Sequence, residues 1–235
     1  MKTLGWDARS YLLDGERAFL VSGEFHYFRV PRQDWETRLS LFVASGGNCV
    51  ATYVPWILHE PAEGDIRFGD VPERDLEGFL ALCGRMGLQV VCRPGPYQYS
   101  ELKYDGLPGW LCDGYPEILA RNVKGEAFRG SSVSYLHPLF LEKVRRWYAV
   151  VCPILARHMA SRGGPVSMVQ IDNELMGIHE WFGGWDYNRD TMGFGREDGR
   201  LAAFLRQRYG REEALNAAWG IAVEAFGKVD PTRLT

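Results

Sequence analysis

Polar and aromatic side chains follow each of the four apolar runs that we predict to be strands. Glu174 is the best single candidate for chemistry, because it follows the apolar run 166–171 and has Asn173 beside it. A carboxyl group that is partly desolvated and close to other carboxylates can hold its proton at neutral pH and donate it to a leaving oxygen. The pattern makes Glu174 a candidate for acid–base chemistry, with a surface carboxylate at a strand end as the alternative that the residues alone favour.

Three further strand ends carry groups that could contact a ligand. They are His26 with Tyr27, then Tyr53 with Trp56, His59 and Glu60, and then Arg93 with Tyr97 and Glu101. Because the carboxyl ends of neighbouring parallel strands meet at one edge of a sheet, we expect these side chains to line a common mouth. Simple packing at that mouth is the alternative for Tyr53, and a solvated loop charge is the alternative for Glu101.

The elements that would position these residues alternate between strand and helix. Apolar runs predict strands at 18–25, 48–54, 88–92 and 166–171. Apolar residues at helical spacing predict amphipathic helices that carry Trp35, Leu39, Phe42 and Val43 on one face, and Leu76, Phe79, Leu80 and Cys83 on another. Further helices are predicted from Pro138, with a kink or break near Pro153, around 201–205 and over 211–219.

This alternation, with long segments after the strands, is typical of a parallel α/β architecture. The long segments 93–137 and 175–199 fit a (β/α)8 barrel, in which such loops build the active site. The sequence lacks both GxGxxG and GxxxxGK[ST], so nothing indicates nucleotide binding. About four βα units can be counted, so we predict a (β/α)8 TIM-barrel type of which this chain holds about half.

Composition excludes several classes of function. The formal net charge of −3 offers no general attraction to nucleic acid or to an anionic membrane. No apolar run approaches the length of a membrane span, and the N-terminus shows no signal peptide, so we expect a cytoplasmic chain without a membrane partner. The five cysteines form no CxxC pair, which predicts reduced thiols in the core. We expect neither a metal nor a cofactor.

Five ordered blocks of this sequence resemble the family 35 glycoside hydrolases, which are mostly β-galactosidases. The blocks are SGEFHYFR at 22–29, TYVPWILHEP at 52–61, RPGPY at 93–97, GLPGWL at 106–111 and GGPVSMVQIDNE at 163–174. The later run 204–220 is similar to a segment of the related family 42 β-galactosidases. The resemblance implies a (β/α)8 catalytic barrel, of which residues 1–235 form the N-terminal part with about the first four to five βα units. It also implies a reaction that retains the anomeric configuration.

The resemblance also implies roles for single residues. Glu174 matches the general acid/base, and Asn173 matches a residue that hydrogen-bonds the sugar 2-hydroxyl. Tyr53 matches a tyrosine that contacts the terminal galactose, and Glu101 matches a glutamate that accepts hydrogen bonds from the galactose ring. His59 and Glu60 match residues that we expect to hold their loop together. For Arg93 we expect an ion pair beneath the site.

Departures from the family pattern fall near the sugar. Tyr99 stands where the family usually has asparagine or cysteine, and Ser100 stands where it usually has alanine. Asp172 and Leu175 replace a common glutamate and tyrosine, and Glu24 replaces a small residue. We therefore include Tyr99 and Ser100 among the substrate-binding candidates. A β-glucosidase or glucosaminidase preference remains an alternative to strict galactose specificity.

The second carboxylate of a retaining site poses a separate question. A retaining glycosidase needs a nucleophilic carboxylate about 5 to 5.5 Å from the acid/base. In the family this residue lies on a late barrel strand. The glutamates after Glu174 are Glu180, Glu197, Glu212, Glu213 and Glu224, and none of them follows a recognisable strand. We predict that the nucleophile is absent from these residues.

We expect the N-terminal half of a retaining exo-β-galactosidase that acts on a β-galactoside oligosaccharide or glycoconjugate. Such a half barrel would leave strand edges uncovered, which predicts a missing C-terminal half or a homo-oligomer. A sugar-binding half barrel or subunit without catalysis is one alternative. A different barrel enzyme, in which Glu101 or another carboxylate approaches Glu174, is a further one.

Overall fold

The computed structural model describes residues 4–127, 130–174 and 186–233. The chain forms two compact units. The first unit comprises Met1–Leu111 with Val144–Leu175, and the second comprises Cys112–Lys143 with Met176–Thr235. The assignment of all 235 residues to one part of a barrel domain stays a prediction.

The strands are β1 Leu4–Trp6, β2 Tyr11–Leu13, β3 Glu16–Ala18, β4 Ser22–Glu24, β5 Cys49–Tyr53, β6 Gln89–Arg93 and β7 Val166–Val169. The α-helices are α1 Trp35–Ala44, α2 Trp56–His59, α3 Leu76–Arg85, α4 Gly109–Gly114, α5 Pro138–Arg157, α6 Arg189–Met192, α7 Arg200–Tyr209 and α8 Glu212–Trp219. Short 3-10 turns occupy Arg32–Asp34, Pro72–Arg74, Lys103–Gly106, Pro116–Ile118, Ala160–Arg162, Phe226–Lys228 and Pro231–Arg233. No helix in the described ranges is long and apolar enough to cross a membrane.

A four-stranded parallel sheet organises the first unit in the order β4-β5-β6-β7. Its register pairs Gly23 with Val50 and Val50 with Val90, and the pairing of β6 with β7 shifts by one residue after Val90. Strand β5 is buried along its whole length, as expected of an apolar strand with a neighbour on each side. The parallel α/β class predicted from the sequence is confirmed. The partial barrel stays a prediction.

The predicted strand 18–25 is divided between two sheets, so that expectation is wrong. Its first residue ends β3, which belongs to an antiparallel sheet of order β1-β2-β3. The Asn48 side chain holds the crossing segment, because Nδ2 donates to Phe19 O at 2.9 Å and Oδ1 accepts from Val21 N at 2.8 Å. An asparagine thus supplies hydrogen bonds that a continuous ladder would have supplied.

The last predicted strand is shorter than expected and less buried. Strand β7 ends at Val169, and the side chains of Val169 and Ile171 are exposed. Strand β7 pairs only with β6 among the described strands, and an isolated parallel bridge joins its first residue, Val166, to Met159. An apolar run alone does not distinguish such a strand from a fully covered one.

Helices α1 and α3 cover the sheet with a core of aromatic and aliphatic residues. Trp35 and Phe79 meet edge to face with ring centroids 5.3 Å apart, and both rings are buried. All four predicted apolar residues of α3 are buried. Asp75 caps α3, since its side chain accepts from Gly78 N at 2.9 Å. Val43 of α1 is exposed, although the spacing predicted it on the buried face.

Helix α5 continues through Pro153 as one element, so the predicted break does not occur. Proline removes one backbone donor from a helix, yet packing on both sides of that turn retains the helical path. Val151 and Leu155 flank the proline and are both buried. The predicted long loop 93–137 contains α4, two 3-10 turns and two isolated antiparallel bridges, Leu119 to Val133 and Arg121 to Ala127.

The second unit has its own small core where α7 and α8 pack together. Its buried members are Ala202, Leu205, Leu215, Phe226 and Val229. The predicted helix 211–219 is confirmed as α8. Part of the predicted loop 175–199 lies outside the described residues, and its described end contains α6.

Candidate active site

Three strands of the parallel sheet end on residues whose side chains interact. Glu24, Tyr53 and Arg93 are the last residues of β4, β5 and β6. Glu174 follows the end of β7 after a short segment that contains Asn173. Because these strands run parallel, their carboxyl ends lie along the same edge of the sheet. This edge is the candidate site.

An ion pair joins the ends of β4 and β6 in front of Tyr53. Arg93 Nη2 lies 2.5 Å from Glu24 Oε1, and the guanidinium carbon lies 4.8 Å from the centre of the Tyr53 ring. The expected ion pair of Arg93 is therefore present, with Glu24 as its partner. The His26 ring lies 5.4 Å from the Tyr53 ring on a tilted plane.

Electrostatic interactions link the candidate carboxylates to these side chains. Burial raises the pKa of the Tyr53 hydroxyl, Arg93 opposes the rise, and the charges of Glu24 and Glu174 add to it. Burial lowers the pKa of His26, while the charges of Glu24 and Glu101 raise it. The charge of Glu174 thus raises the pKa of Tyr53, and the charge of Glu101 raises the pKa of His26. The structure brings Tyr53, Glu101 and Glu174 to the same edge.

Asn173 is held by its neighbours through both ends of its amide. Gln170 Nε2 donates to Asn173 Oδ1 at 3.0 Å, and Asn173 Nδ2 donates to Gln98 O at 3.1 Å. The backbone N–H of Asn173 donates to Asp172 Oδ1 at 3.0 Å. An amide oxygen has two lone pairs, so Asn173 Oδ1 can accept one further hydrogen bond from a ligand.

Both loops that carry candidate carboxylates contain non-glycine residues in the left-handed backbone region. Tyr99, Ser100 and Glu101 have φ values of 61°, 48° and 50° in succession. Asp172 and Glu174 have φ values of 62° and 49° on either side of Asn173. Such conformations cost free energy and concentrate at functional sites, where the surrounding structure maintains them.

The segment Tyr99 to Glu101 is fixed mainly through its backbone. Arg29 Nη2 donates to Ser100 O at 2.6 Å, which ties the segment to the residues that follow β4. The Tyr99 ring lies 6.3 Å from the Tyr97 ring. Glu101 is exposed, and Tyr99 and Ser100 are half-buried. Their backbone carries the segment to the site edge, where the Glu101 carboxylate is accessible.

Gln98 is a site residue that sequence reasoning missed. It is fully buried, and its Nε2 donates to Val54 O at 2.7 Å and to Arg93 O at 3.2 Å. Its backbone carbonyl also accepts from Asn173, so Gln98 connects the ends of β5 and β6 with the Glu174 loop. No feature of the sequence signalled this role, because a buried glutamine in a loop cannot be distinguished from an exposed one by residue type.

A separate polar cluster lies behind the site edge, which we call the Glu60 cluster; it comprises Trp56, Glu60, Gly64, Trp110 and Arg146. Glu60 Oε1 accepts from Gly64 N at 2.7 Å and Arg146 Nη2 at 2.6 Å, and Oε2 accepts from Trp56 Nε1 at 2.6 Å. Trp110 Nε1 donates to the Glu60 backbone carbonyl at 3.0 Å. The expectation that Glu60 holds its loop together is confirmed.

His59 has a comparable structural role. Its Nδ1 lies 2.7 Å from Arg67 O, and its Nε2 lies 2.7 Å from the Tyr27 hydroxyl. Because a carbonyl can only accept, Nδ1 carries the proton and Nε2 accepts from Tyr27. Burial lowers the pKa of His59 to about 4, so the ring is neutral at pH 7. The expectation that His59 holds the loop is also confirmed.

The later glutamates are candidates for a nucleophile only if they reach a strand end. Glu212 and Glu213 lie in the first turn of α8, and Glu197 pairs with Arg206. Glu224 follows α8 without a strand before it, and Glu180 lies outside the described residues. The absence of a nucleophile from these residues stays a prediction.

The structure shows no built metal centre in the ranges it describes. Within these ranges, no three His, Cys, Asp or Glu side chains gather to form a group that could hold a metal ion. The five cysteines are free, and four of them are buried, whereas Cys152 is exposed. The prediction of core thiols is therefore wrong for Cys152, which lies on the outer face of α5.

Comparisons with known proteins define the class. The solved structure of a β-galactosidase from the psychrophilic Marinomonas ef1 is similar to this chain, with a TM-score of 0.66 and 23% sequence identity. The match covers 92% of this chain and 30% of the β-galactosidase chain. At that identity the likeness shows the fold alone, and it agrees with the parallel α/β class of this chain.

The sequence comparisons define the family. The model described as glycosyl hydrolases family 35 matches residues 10–189. The chain is 41% identical to an exo-β-D-glucosaminidase of Pyrococcus horikoshii over 86% of its own length and 27% of that protein. It is 37% identical to a β-galactosidase of Homo sapiens over 74% of its length and 23% of that protein. The chain belongs to glycosyl hydrolase family 35, and it spans about a quarter of the length of these curated relatives.

Proposed function

We propose that this chain carries the acid/base side of the active site of a retaining, exo-acting β-glycosidase. Glu174 donates a proton to the glycosidic oxygen as the bond from that oxygen to the anomeric carbon breaks. It then removes a proton from the water that releases the sugar from the covalent intermediate. Tyr53, Tyr99, Ser100, Glu101 and Asn173 bind the terminal sugar.

One observation carries this proposal: Glu174 lies at the carboxyl edge of a parallel sheet, within electrostatic range of Tyr53. Left-handed backbone at both carboxylate loops supports it, since strain of this kind is rarely retained without a function. Membership of family 35 supports the reaction class.

We propose that none of the glutamates that follow Glu174 is the attacking carboxylate. Those glutamates belong to the second unit or to residues outside the described ranges, and each described one lies in a helix or a loop. A (β/α)8 barrel completed by a further part of the protein or by a second copy would supply this carboxylate. The proposed substrate is a terminal β-galactoside of an oligosaccharide or glycoconjugate.

A second candidate glycone is glucosamine. The relative from Pyrococcus horikoshii is named an exo-β-D-glucosaminidase, and a second one, from Thermococcus kodakarensis, is 40% identical over 74% of this chain. The departures at Glu24, Tyr99 and Ser100 lie where a changed glycone would be recognised. Aryl β-galactosides and aryl β-glucosaminides are therefore both required as substrates in any test.

The test supplies the missing nucleophile from solution. The purified chain is incubated with a phenyl β-glycoside, whose phenolate is a poor leaving group unless it is protonated, with and without sodium azide. Azide attacks the anomeric carbon from the opposite face while Glu174 protonates the departing phenolate oxygen, and the products are an α-glycosyl azide and phenol. We expect turnover only with azide and a loss of at least about a hundredfold in Glu174→Gln.

The matched control is Glu16→Gln, which makes the same charge change on the exposed strand β3. Turnover that is equal in Glu174→Gln and the native chain contradicts the acid/base role, as does a folded chain that is inert in azide. If the chain hydrolyses the substrate without azide and Glu174→Gln abolishes this activity, only the proposal that the nucleophile lies outside this chain is contradicted. That result directs the search to Glu101.

A further inference from the structure

The two carboxylate oxygens of Glu24 have different environments. Oε1 lies 2.5 Å from Arg93 Nη2, whereas Oε2 lies 3.9 Å from His26 Nε2, beyond hydrogen-bond distance. The Glu24 side chain is 50% exposed although it forms an ion pair. One oxygen is therefore anchored, and the other has no hydrogen-bond partner among the residues that the structure describes.

Arg93 holds the Glu24 carboxylate in a fixed orientation. The guanidinium is only 15% exposed and also lies over the Tyr53 ring, so it cannot swing freely with its partner. Tyr53 and His26 are the other titratable groups that face Glu24, and burial keeps both in their neutral forms at pH 7. The free oxygen of Glu24 is consequently held in place and is available to a hydrogen-bond donor of a ligand.

The groups around Glu24 include unpaired buried polar atoms. Two atoms beside it, His26 Nδ1 and Arg93 Nε, are buried without a hydrogen-bond partner in the described part of the chain. Buried polar atoms are usually paired, so a cluster of exceptions indicates a place where water or a ligand completes the network. Glu24 borders this cluster and is the member accessible from solvent.

We propose that Glu24 determines which substituent of the terminal sugar this site prefers, by accepting a hydrogen bond at its free oxygen from an amino group rather than a hydroxyl group. A protonated amine donates to a carboxylate through a charge-assisted hydrogen bond, which is stronger than one from a neutral hydroxyl. This inference rests on the proposed binding of a terminal sugar at this edge. It assigns the specificity-determining contact to the end of β4, outside the residues that carry the acid/base chemistry.

The experiment measures binding, so it does not depend on turnover. Affinities of the chain for methyl β-glucosaminide, methyl β-glucoside and methyl β-galactoside are determined at pH 6, where the amine is protonated. We expect the native chain to bind the glucosaminide about tenfold more tightly than the glucoside, which differs from it only in that substituent. In Glu24→Gln this ratio should fall to within about threefold.

Two variants make the outcome specific. Glu24→Asp retains the charge and should keep a preference for the amine, whereas Glu16→Gln changes the charge on β3 and should leave the ratio unchanged. A ratio unaffected by Glu24→Gln, or equal weakening of both glucose-configured ligands, overturns the inference. So does a folded chain that binds none of the three ligands.

The two proposals can fail separately. Amine preference that depends on Glu24, together with azide-dependent turnover that survives Glu174→Gln, leaves this inference standing and removes the acid/base role. Turnover that Glu174→Gln abolishes, without any dependence of the affinity ratio on Glu24, does the reverse.

Discussion

Two of the carboxylate–arginine pairs in the first unit, Glu60 with Arg146 and Glu24 with Arg93, differ in how much of the carboxylate remains available. Glu60 is fully buried, and its oxygens accept from Trp56, Gly64 and Arg146. Glu24 is half-exposed and has one oxygen anchored by Arg93. The same ion-pair chemistry therefore fixes a loop in one place and presents a charge to solvent in the other.

The difference shows that the number of bonded oxygens distinguishes a structural carboxylate from a ligand-binding one. A buried carboxylate is costly unless each of its oxygens is hydrogen-bonded, because an unpaired buried charge costs free energy. A site residue keeps a position open, and water fills it until a ligand arrives. The pairs predict opposite responses to substitution, the Glu60 pair in stability and the Glu24 pair in ligand selection.

The largest expected effect is on stability, from Glu60→Gln. The change removes the closer charge partner of the Arg146 guanidinium, which keeps Glu63 Oε1 at 3.5 Å from Nη1, and it turns an amide N–H towards groups that donate hydrogen bonds. We expect the free energy of unfolding to fall by about 3 kcal/mol, measured by urea denaturation. Glu60→Gln that costs less than about 1 kcal/mol would contradict a structural role for the buried pair.

His59, which is buried next to Glu60 in the chain, makes the free energy of unfolding depend on pH. Its pKa is about 4 in the folded chain, below the ordinary value of about 6.5, so between these values only the unfolded state binds the proton. The free energy of unfolding should fall by about 2 to 3 kcal/mol as the pH drops from 6.5 to 4, and this contribution should be constant above that window.

Urea denaturation across this pH range measures the slope, and His59→Asn should remove most of it. His158→Asn is the matched control, because His158 is partly exposed and pairs with the exposed Glu77. An equal loss of slope in both variants would show that the pH dependence does not originate at His59.

The two pairs also show what the sequence could predict. The strand ends, the acid/base candidate and the loop-holding role of Glu60 follow from apolar runs, from the order of the elements and from a family resemblance. The partner of Arg93 does not follow from local sequence, because Glu24 is 69 residues away and meets it only through the register of three strands. Gln98 was missed for the same reason, since its hydrogen bonds depend on where β5 and β6 end.

The N-terminal sheet was missed for a different reason. Strands β1, β2 and β3 have three residues each and leave Trp6 and Tyr11 exposed, so they lack an apolar period that could predict them. The run 18–25 then appears continuous, although the Asn48 side chain directs it from one sheet to the other. Long-range polar contacts of this kind limit prediction more than the apolar pattern does.

A smaller effect is expected from Glu24→Gln on stability. Arg93 keeps its contact with Tyr53, and the glutamine side-chain oxygen can still accept from the guanidinium. We expect the free energy of unfolding to change by less than about 1 kcal/mol, as is typical of half-exposed pairs. Urea denaturation next to Glu60→Gln provides the direct contrast, and a loss equal to that of Glu60→Gln would remove the distinction between the pairs.

The smallest effect concerns the thiols, which test whether the sheet behind the site is closed to solvent. Burial raises the pKa of both Cys83 and Cys92 to about 12, whereas Cys152 is exposed on α5. We expect a thiol reagent to modify one cysteine per folded chain at pH 7.5 and none in Cys152→Ser, with stability unchanged within about 0.5 kcal/mol. Rapid modification of Cys92, which precedes Arg93 on β6, would show that the sheet opens beneath the Glu24 pair, and Glu24 could then not be held as a fixed acceptor.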